Sequence, residues 1–289
     1  MQPEEWIAVG NRLGECVLWD GDALWWTDID GCMLFRLDGA SGALKRIDVP
    51  ARLASFGFIA GRSDFVAAFD DGFALFDPVT ASRTPPLVPP GLNAGMRMND
   101  GRVDRRGRFW AGSMVTDPHG PAEARLYSVQ GGTVRTHLDG LTVSNGICWS
   151  PDGDIFYFAD SRRHIIWRYD FDAAAGVLGA RREFARTGDD AEPDGACVDA
   201  EGCVWSAHWG ASRVVRYTPG GRIDRVLEVP VRQPSCVTFG GPGLDRLFVT
   251  SARLGLAQPA PGAGDVLVYN VKARGLPESR CIIDGWPQP

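Results

Sequence analysis

The 289-residue chain carries 36 glycines, 20 prolines, 14 phenylalanines and 10 tryptophans, and no stretch of a dozen residues keeps a three-four apolar period, which excludes long helices and points to one large β domain. A net charge of −6 with no block of Lys/Arg argues against a nucleic-acid surface or an anionic-membrane anchor. No apolar run approaches the roughly 18 residues of a membrane span.

In chain order, the opening "MQPEEWIAVG" has neither the basic nor the apolar segment of a secretion signal, so the expectation is a soluble, cytoplasmic protein. "RLGECVLW" (12–19) then sets Glu15 in a run that otherwise reads as buried strand. An unpaired carboxylate there needs a cation or a hydrogen-bond network, unless the position is a solvated edge. The next strand, "LWWTD" (24–28), ends in a small residue, and the same ending recurs in "FVAAF" (65–69), "RFWAG" (108–112), "FYFAD" (156–160), "VWSAH" (204–208) and "LFVTS" (247–251). Aligned on Thr27, Ala68, Ala111, Ala159, Ala207 and Thr250, the intervals are 41, 43, 48, 48 and 43 residues. Turn sequences such as "DRRGR" (104–108), "SPDGD" (150–154) and "DAEGC" (199–203) precede these strands, and further strands such as "IIWRYD" (165–170) follow them, which is hairpin chemistry.

Six such units cover nearly the whole chain. A repeating sheet of this period stacks radially, because each blade can bury its faces only against its neighbours. The expected fold is therefore all-β, a six-bladed β-propeller of four-stranded antiparallel blades around a central channel, as one domain over residues 1–289. "AQPAPGAG" (257–264) reads as a loop on one face. The seven cysteines are odd in number, lie mostly in apolar runs and contain no C-x-x-C, as expected of reduced, buried side chains.

Polar residues interrupt the apolar runs at three further places. Arg97 and Asn99 stand two apart in "GMRMNDGRVD" (95–104), hence on one side of a strand. Asn145 lies in "TVSNGICWSPDG" (142–153) and Asp194 in "AEPDGACVDA" (191–200). Singly, each has a plain reading as a surface residue or a turn. Together, Glu15, Asn99, Asn145 and Asp194 precede the aligned small residues by 12, 12, 14 and 13 positions, so they occupy nearly the same place in their repeats. In a radial repeat such places meet at the axis. Two carboxylates with one or two amide oxygens form a hard-oxygen cage suited to one divalent cation, Ca²⁺, Mg²⁺ or Mn²⁺ above all, with Zn²⁺ and Fe²⁺ not separated by sequence.

"LGECVLW", "MNDGRVDRRGRFWAGSM" (98–114), "VSNGICWSPDGDIFYFAD" (143–160), "PDGACVDAEGCVWSAHWG" (193–210) and "PSCVTFGGPGLDRLFVTSAR" (234–253) resemble, in sequence and order, the motifs of the SMP-30/gluconolactonase/regucalcin family of propeller lactonases. The resemblance implies that Glu15, Asn145 and Asp194 hold one divalent cation and that Asp194 is also the general base. It implies substrate-hydroxyl contacts for Arg97 and Asn99, and for Asp117 in "MVTDPHG" (114–120), the nearest match to a further acidic contact. Cys16 stands where the family commonly has glycine.

The implied reaction is hydrolysis of a sugar-derived 1,4- or 1,5-lactone, a small molecule, to its aldonic acid. The rivals are aryl-ester or phosphotriester hydrolysis on the same scaffold, a non-catalytic calcium-binding regulator, and a scaffold for partners. No G-x-S-x-G elbow and no H-E-x-x-H spacing offers another hydrolytic centre, and His119 and His208 read as structural or solvent-facing.

Overall fold

The computed structural model describes residues 1–286, which form six four-stranded antiparallel sheets. The inner strands of the blades are Gly14–Trp19, Leu53–Phe58, Met96–Val103, Ser144–Trp149, Glu192–Val198 and Pro234–Gly240. Each is followed by the strand that carries one of the aligned small residues: Ala23–Asp28, Phe65–Phe69, Phe109–Val115, Ile155–Asp160, Val204–Trp209 and Arg246–Ser251. The expected six-bladed propeller is what the chain builds. No helix among the described residues is long and apolar enough to cross a membrane.

The hairpin turns are held by one device used three times. Asp20, Asp104 and Asp199 each accept backbone N–H groups of the turn on Oδ1 and the indole N–H of Trp25, Trp110 or Trp205 on Oδ2, at 2.7, 3.0 and 2.9 Å. The turn amides are thus satisfied by the same carboxylate that fixes the next strand's largest side chain.

Apolar burial is organised by interface. Six clusters of buried side chains form, one between each pair of adjacent blades. Trp26 and Phe35 of the first blade, for instance, pack with Phe248 and Val268 of the sixth. That last interface is sealed by Glu5–Ile7, which pairs with Val266–Tyr269 as the outermost strand of the sixth blade. A three-residue strand carries no periodicity, so the repeat alone does not reveal this closure.

One irregularity recurs in every blade. The inner strand holds one residue more than its partner between Glu15 and Leu18, Leu53 and Ser55, Met98 and Gly101, Asn145 and Cys148, Pro193 and Ala196, and Pro234 and Val237. A β-bulge re-aims side chains at the point where it sits. The sequences "NDG", "SNG" and "PDG", which singly read as turns, are these bulges inside strands. Gly146 adopts φ +62° at its bulge, and Cys16 takes φ +46°, a left-handed conformation that favours glycine. The Cys16 thiol compensates by linking two blades: its Sγ accepts from Phe56 N at 3.3 Å and donates to Phe56 O at 3.6 Å.

The opposite mouth of the channel is plugged. Glu278, in the segment after the last strand, ion-pairs with Arg102, which also donates to Ala196 O and to Thr238 Oγ1 at 3.4 Å.

Candidate active site

At the open mouth the bulges bring Glu15, Arg97, Asn99, Asn145 and Asp194 to the wall of one cavity of about 290 Å³. That is close to the lower end of small-molecule sites, roughly 300–1,000 Å³. The residues come from the first, third, fourth and fifth blades, so the agreement of positions within the repeat corresponds to convergence in space.

Three of them, Arg97, Asn99 and Asn145, are oriented by a chain of hydrogen bonds across three blades. Arg97 Nη1 donates to Asn99 Oδ1 at 2.7 Å, and Asn99 Nδ2 donates to Asn145 Oδ1 at 2.9 Å and to Ser144 O at 2.9 Å. Asn145 Nδ2 donates to Ser161 Oγ at 2.8 Å, whose hydroxyl donates to Pro193 O at 2.8 Å. Each amide has both ends committed, which determines that Asn145 presents its oxygen on the Asn99 side and keeps a lone pair there. An asparagine in an otherwise apolar strand is thereby hydrogen-bonded at both ends of its amide.

The two carboxylates are nearly enclosed, Glu15 at 8 % and Asp194 at 6 % exposure. Burial, then the charge of Asp100, pushes Glu15 up to about 8. Burial, then the charge of Glu15, holds Asp194 well above the usual carboxylate range. Both effects disfavour the ionised form. Glu15, Arg97, Arg162, Glu192 and Asp194 all stand outside the ion pairs of the described residues. Among the described residues no group of three His, Cys, Asp or Glu side chains is placed to hold a metal. The candidate donor set contains only two such residues and is completed by the amide oxygen of Asn145.

Asp117 is not brought into this cavity. It is exposed on the rim, where its Oδ1 accepts from His119 N at 2.9 Å in an Asx turn, and the loop contributes Pro118 to the wall instead. The wall also includes Ser161, Arg162, Glu192 and Trp209, which the sequence alone does not single out. Glu192 stands two before Asp194 on the same strand, so the two-residue spacing that links Arg97 to Asn99 also finds it. Ser161 and Arg162 follow "FYFAD" in a short 3₁₀ turn and carry no such pattern.

His208 lies behind the wall, 2 % exposed. Arg213 Nε donates to its Nδ1 at 3.2 Å, which puts the proton of the neutral ring on Nε2, 3.2 Å from Tyr217 Oη. Burial, with Arg213, pulls its pKa down to about 3 from 6.5, opposed weakly by Asp190. A depressed histidine contributes stability that is complete above the unfolded value of 6.5 and is lost as pH falls through the window down to about 3. The unfolding free energy of wild type relative to His208→Gln should therefore shrink by about 2 kcal/mol between pH 6.5 and 5, measured by urea denaturation. A difference flat with pH would mean that His208 is not held neutral.

A family model described as SMP-30/Gluconolactonase/LRE-like region matches residues 13–253. The chain is 37% identical over 282 residues to an L-arabinolactonase of Azospirillum brasilense, covering 93% of this chain and 92% of the relative. It is 36% identical over 246 residues to a 6-deoxy-6-sulfogluconolactonase of Pseudomonas putida, covering 83% and 84%. Among solved structures, a calcium-binding protein, regucalcin, from Agrobacterium tumefaciens superposes with a TM-score of 0.91 at 31% identity, covering 97% of this chain and 98% of that one.

Proposed function

The chain belongs to the SMP-30/gluconolactonase/LRE-like family, which includes sugar lactonases, and we propose that it is a metal-dependent lactonase that opens a sugar-derived 1,4- or 1,5-lactone to the aldonic acid. The observation that carries this reading is the pairing of two buried carboxylates, Glu15 and Asp194, on one cavity wall with no ion-pair partner among the described residues, beside an amide oxygen held in place by Asn99. Such a donor set fits a hard divalent cation. Glu15, Asn145 and Asp194 would hold it. Bound there, the cation would offset the like charge of the carboxylates and supply Lewis acidity toward a carbonyl.

The rest of the chemistry falls to the chain itself. Asp194 accepts a proton from the water that adds to the lactone carbonyl. The acyl–oxygen bond of the ring then breaks, and the ring oxygen leaves as a hydroxyl, taking up a proton as the carboxylate forms. Arg97 and Asn99 contact the substrate, Arg97 through the N–H groups left free by its bonds to Met98 O and Asn99. Burial pulls the Arg97 guanidinium below its ordinary value, against the pull of Asp30 and Glu15, and a hydroxyl or carbonyl oxygen of substrate restores some of the lost solvation. Asp117 contacts substrate only if its loop turns the carboxylate inward. The names of the relatives, an arabinolactonase and a sulfogluconolactonase, support sugar lactones as the substrate class.

The test is a pH-drop assay over a panel of aldonolactones, with spontaneous opening subtracted, on enzyme stripped by chelator and then resupplied with Ca²⁺, Mn²⁺, Zn²⁺ or Fe²⁺. The expected result is opening of at least one lactone that vanishes on chelation and returns with one or more cations. Cation binding without turnover of any lactone would leave a calcium-binding role in its place.

A further inference from the structure

Where the rim loop of the third blade was expected to offer a carboxylate, the cavity receives a guanidinium. Asp117 turns its side chain to its own loop, while Arg162 reaches across from the fourth blade and lines the wall. Its Nη1 donates to Asp117 O at 3.0 Å and its Nη2 to Val115 O at 3.1 Å. Those bonds hold the planar group in place and use two of the five N–H donors an arginine carries. No carboxylate of the described residues pairs with it. A guanidinium anchored through neutral carbonyls, with donors to spare and no counter-charge, is preorganised for an anion.

The balance of charge agrees. The cavity wall carries three carboxylates, Glu15, Glu192 and Asp194, against Arg97 and Arg162, so with all five ionised around a bound divalent cation the balance would be one positive charge. Glu192 stands two residues before Asp194 on the same strand, so its charge lies beside the reacting end. Arg162 is tied instead to the loop at 115–117.

Resting on the lactonase reading above, we infer that the substrate is a sugar lactone bearing a second, anionic group remote from the ring carbonyl, a carboxylate or a sulfonate, and that Arg162 is the residue that selects it.

The experiment compares three lactones of one ring type at the terminal carbon: glucono-1,5-lactone, its 6-carboxylate and its 6-deoxy-6-sulfonate. Wild type, Arg162→Gln and Arg162→Lys are each assayed with cation restored. A charge-assisted hydrogen-bond pair makes kcat/KM for one or both anionic lactones about tenfold to a hundredfold higher than for the neutral one. Arg162→Gln removes most of that preference, Arg162→Lys retains part of it, and the neutral lactone loses far less than the anionic ones. The two anionic arms tell carboxylate from sulfonate. An equal fall for all three lactones would make Arg162 a tether for the rim loop, and a wild type preferring the neutral lactone would also overturn the inference while leaving the lactonase reading intact.

Calorimetric titration with the corresponding ring-opened acids reads recognition without turnover. The doubly charged acid should bind about tenfold more tightly than gluconate, and Arg162→Gln should abolish the difference. If no lactone is opened, the lactonase reading fails on its own; if the doubly charged acid shows no Arg162-dependent advantage, the anion site fails whatever the activity.

Discussion

Asp194→Ala should lower kcat/KM for lactone opening by about a thousandfold or more, with the propeller still folded. Loss of a positioned general base alone costs roughly 10²–10⁴ in rate, and this residue is also one of only two carboxylates in the proposed cation set. Asp194→Asn keeps the shape and one oxygen but cannot take a proton, so it should fall nearly as far. Asp194 lies in a strand whose neighbours Pro193 and Gly195 belong to the bulge rather than to the apolar clusters, so the substitutions spare the packing between blades. Steady-state assay beside circular dichroism separates the two effects. Retention of more than a tenth of wild-type activity in the asparagine variant would remove Asp194 from the role of base.

The second large effect is on stability. Adding the activating divalent cation to stripped wild type should raise Tm by about 4 °C at a hundred times Kd, since a ligand specific for the folded state contributes about 2.7 kcal/mol at that excess and a chain of this length, with an unfolding entropy of roughly 2.1 cal/mol/K per residue, gains under about 2 °C per kcal/mol. The physical source is the like charge of Glu15 and Asp194, buried on one wall without an ion-pair partner among the described residues. Glu15→Gln or Asp194→Asn should leave Tm insensitive to the cation. Differential scanning fluorimetry decides it: a cation shift that persists in both variants would place the binding site elsewhere on the molecule.

The fold was legible because its information is repetitive. Six small-residue strands at similar intervals, each behind a Gly- or Asp-containing turn, specify the blades, and the position of Glu15, Asn99, Asn145 and Asp194 within the repeat specifies which side chains meet. What the sequence hides has physical reasons. The closing strand Glu5–Ile7 is too short for a period, and its partner lies at Val266–Tyr269, far along the chain. The bulges use the same Asn-Gly and Asp-Gly chemistry as turns, because both need left-handed or tightly bent backbone, so "SNG" and "PDG" alone do not say which they are. Asp117 was matched by type and order, but the direction of a carboxylate on an exposed loop is decided by the local amide of His119. Arg162 was invisible for the opposite reason: an arginine after a strand is ordinary until the neighbouring blade supplies the carbonyls that hold it.

Because the same bulge is built into all six inner strands, the axis is a set of interchangeable seats. Ala54 and Ser235 sit within the bulges of the second and sixth blades, the two that supply no carboxylate or amide to the site. Ser235 already bonds Gly14 O beside Glu15 and Thr250 Oγ1 within its own blade. Ligand number and charge at the axis can therefore be varied one blade at a time, by substitution at a position whose backbone already bends as its counterparts do. Drift among such seats would change the polar lining of the ring without a change in its architecture.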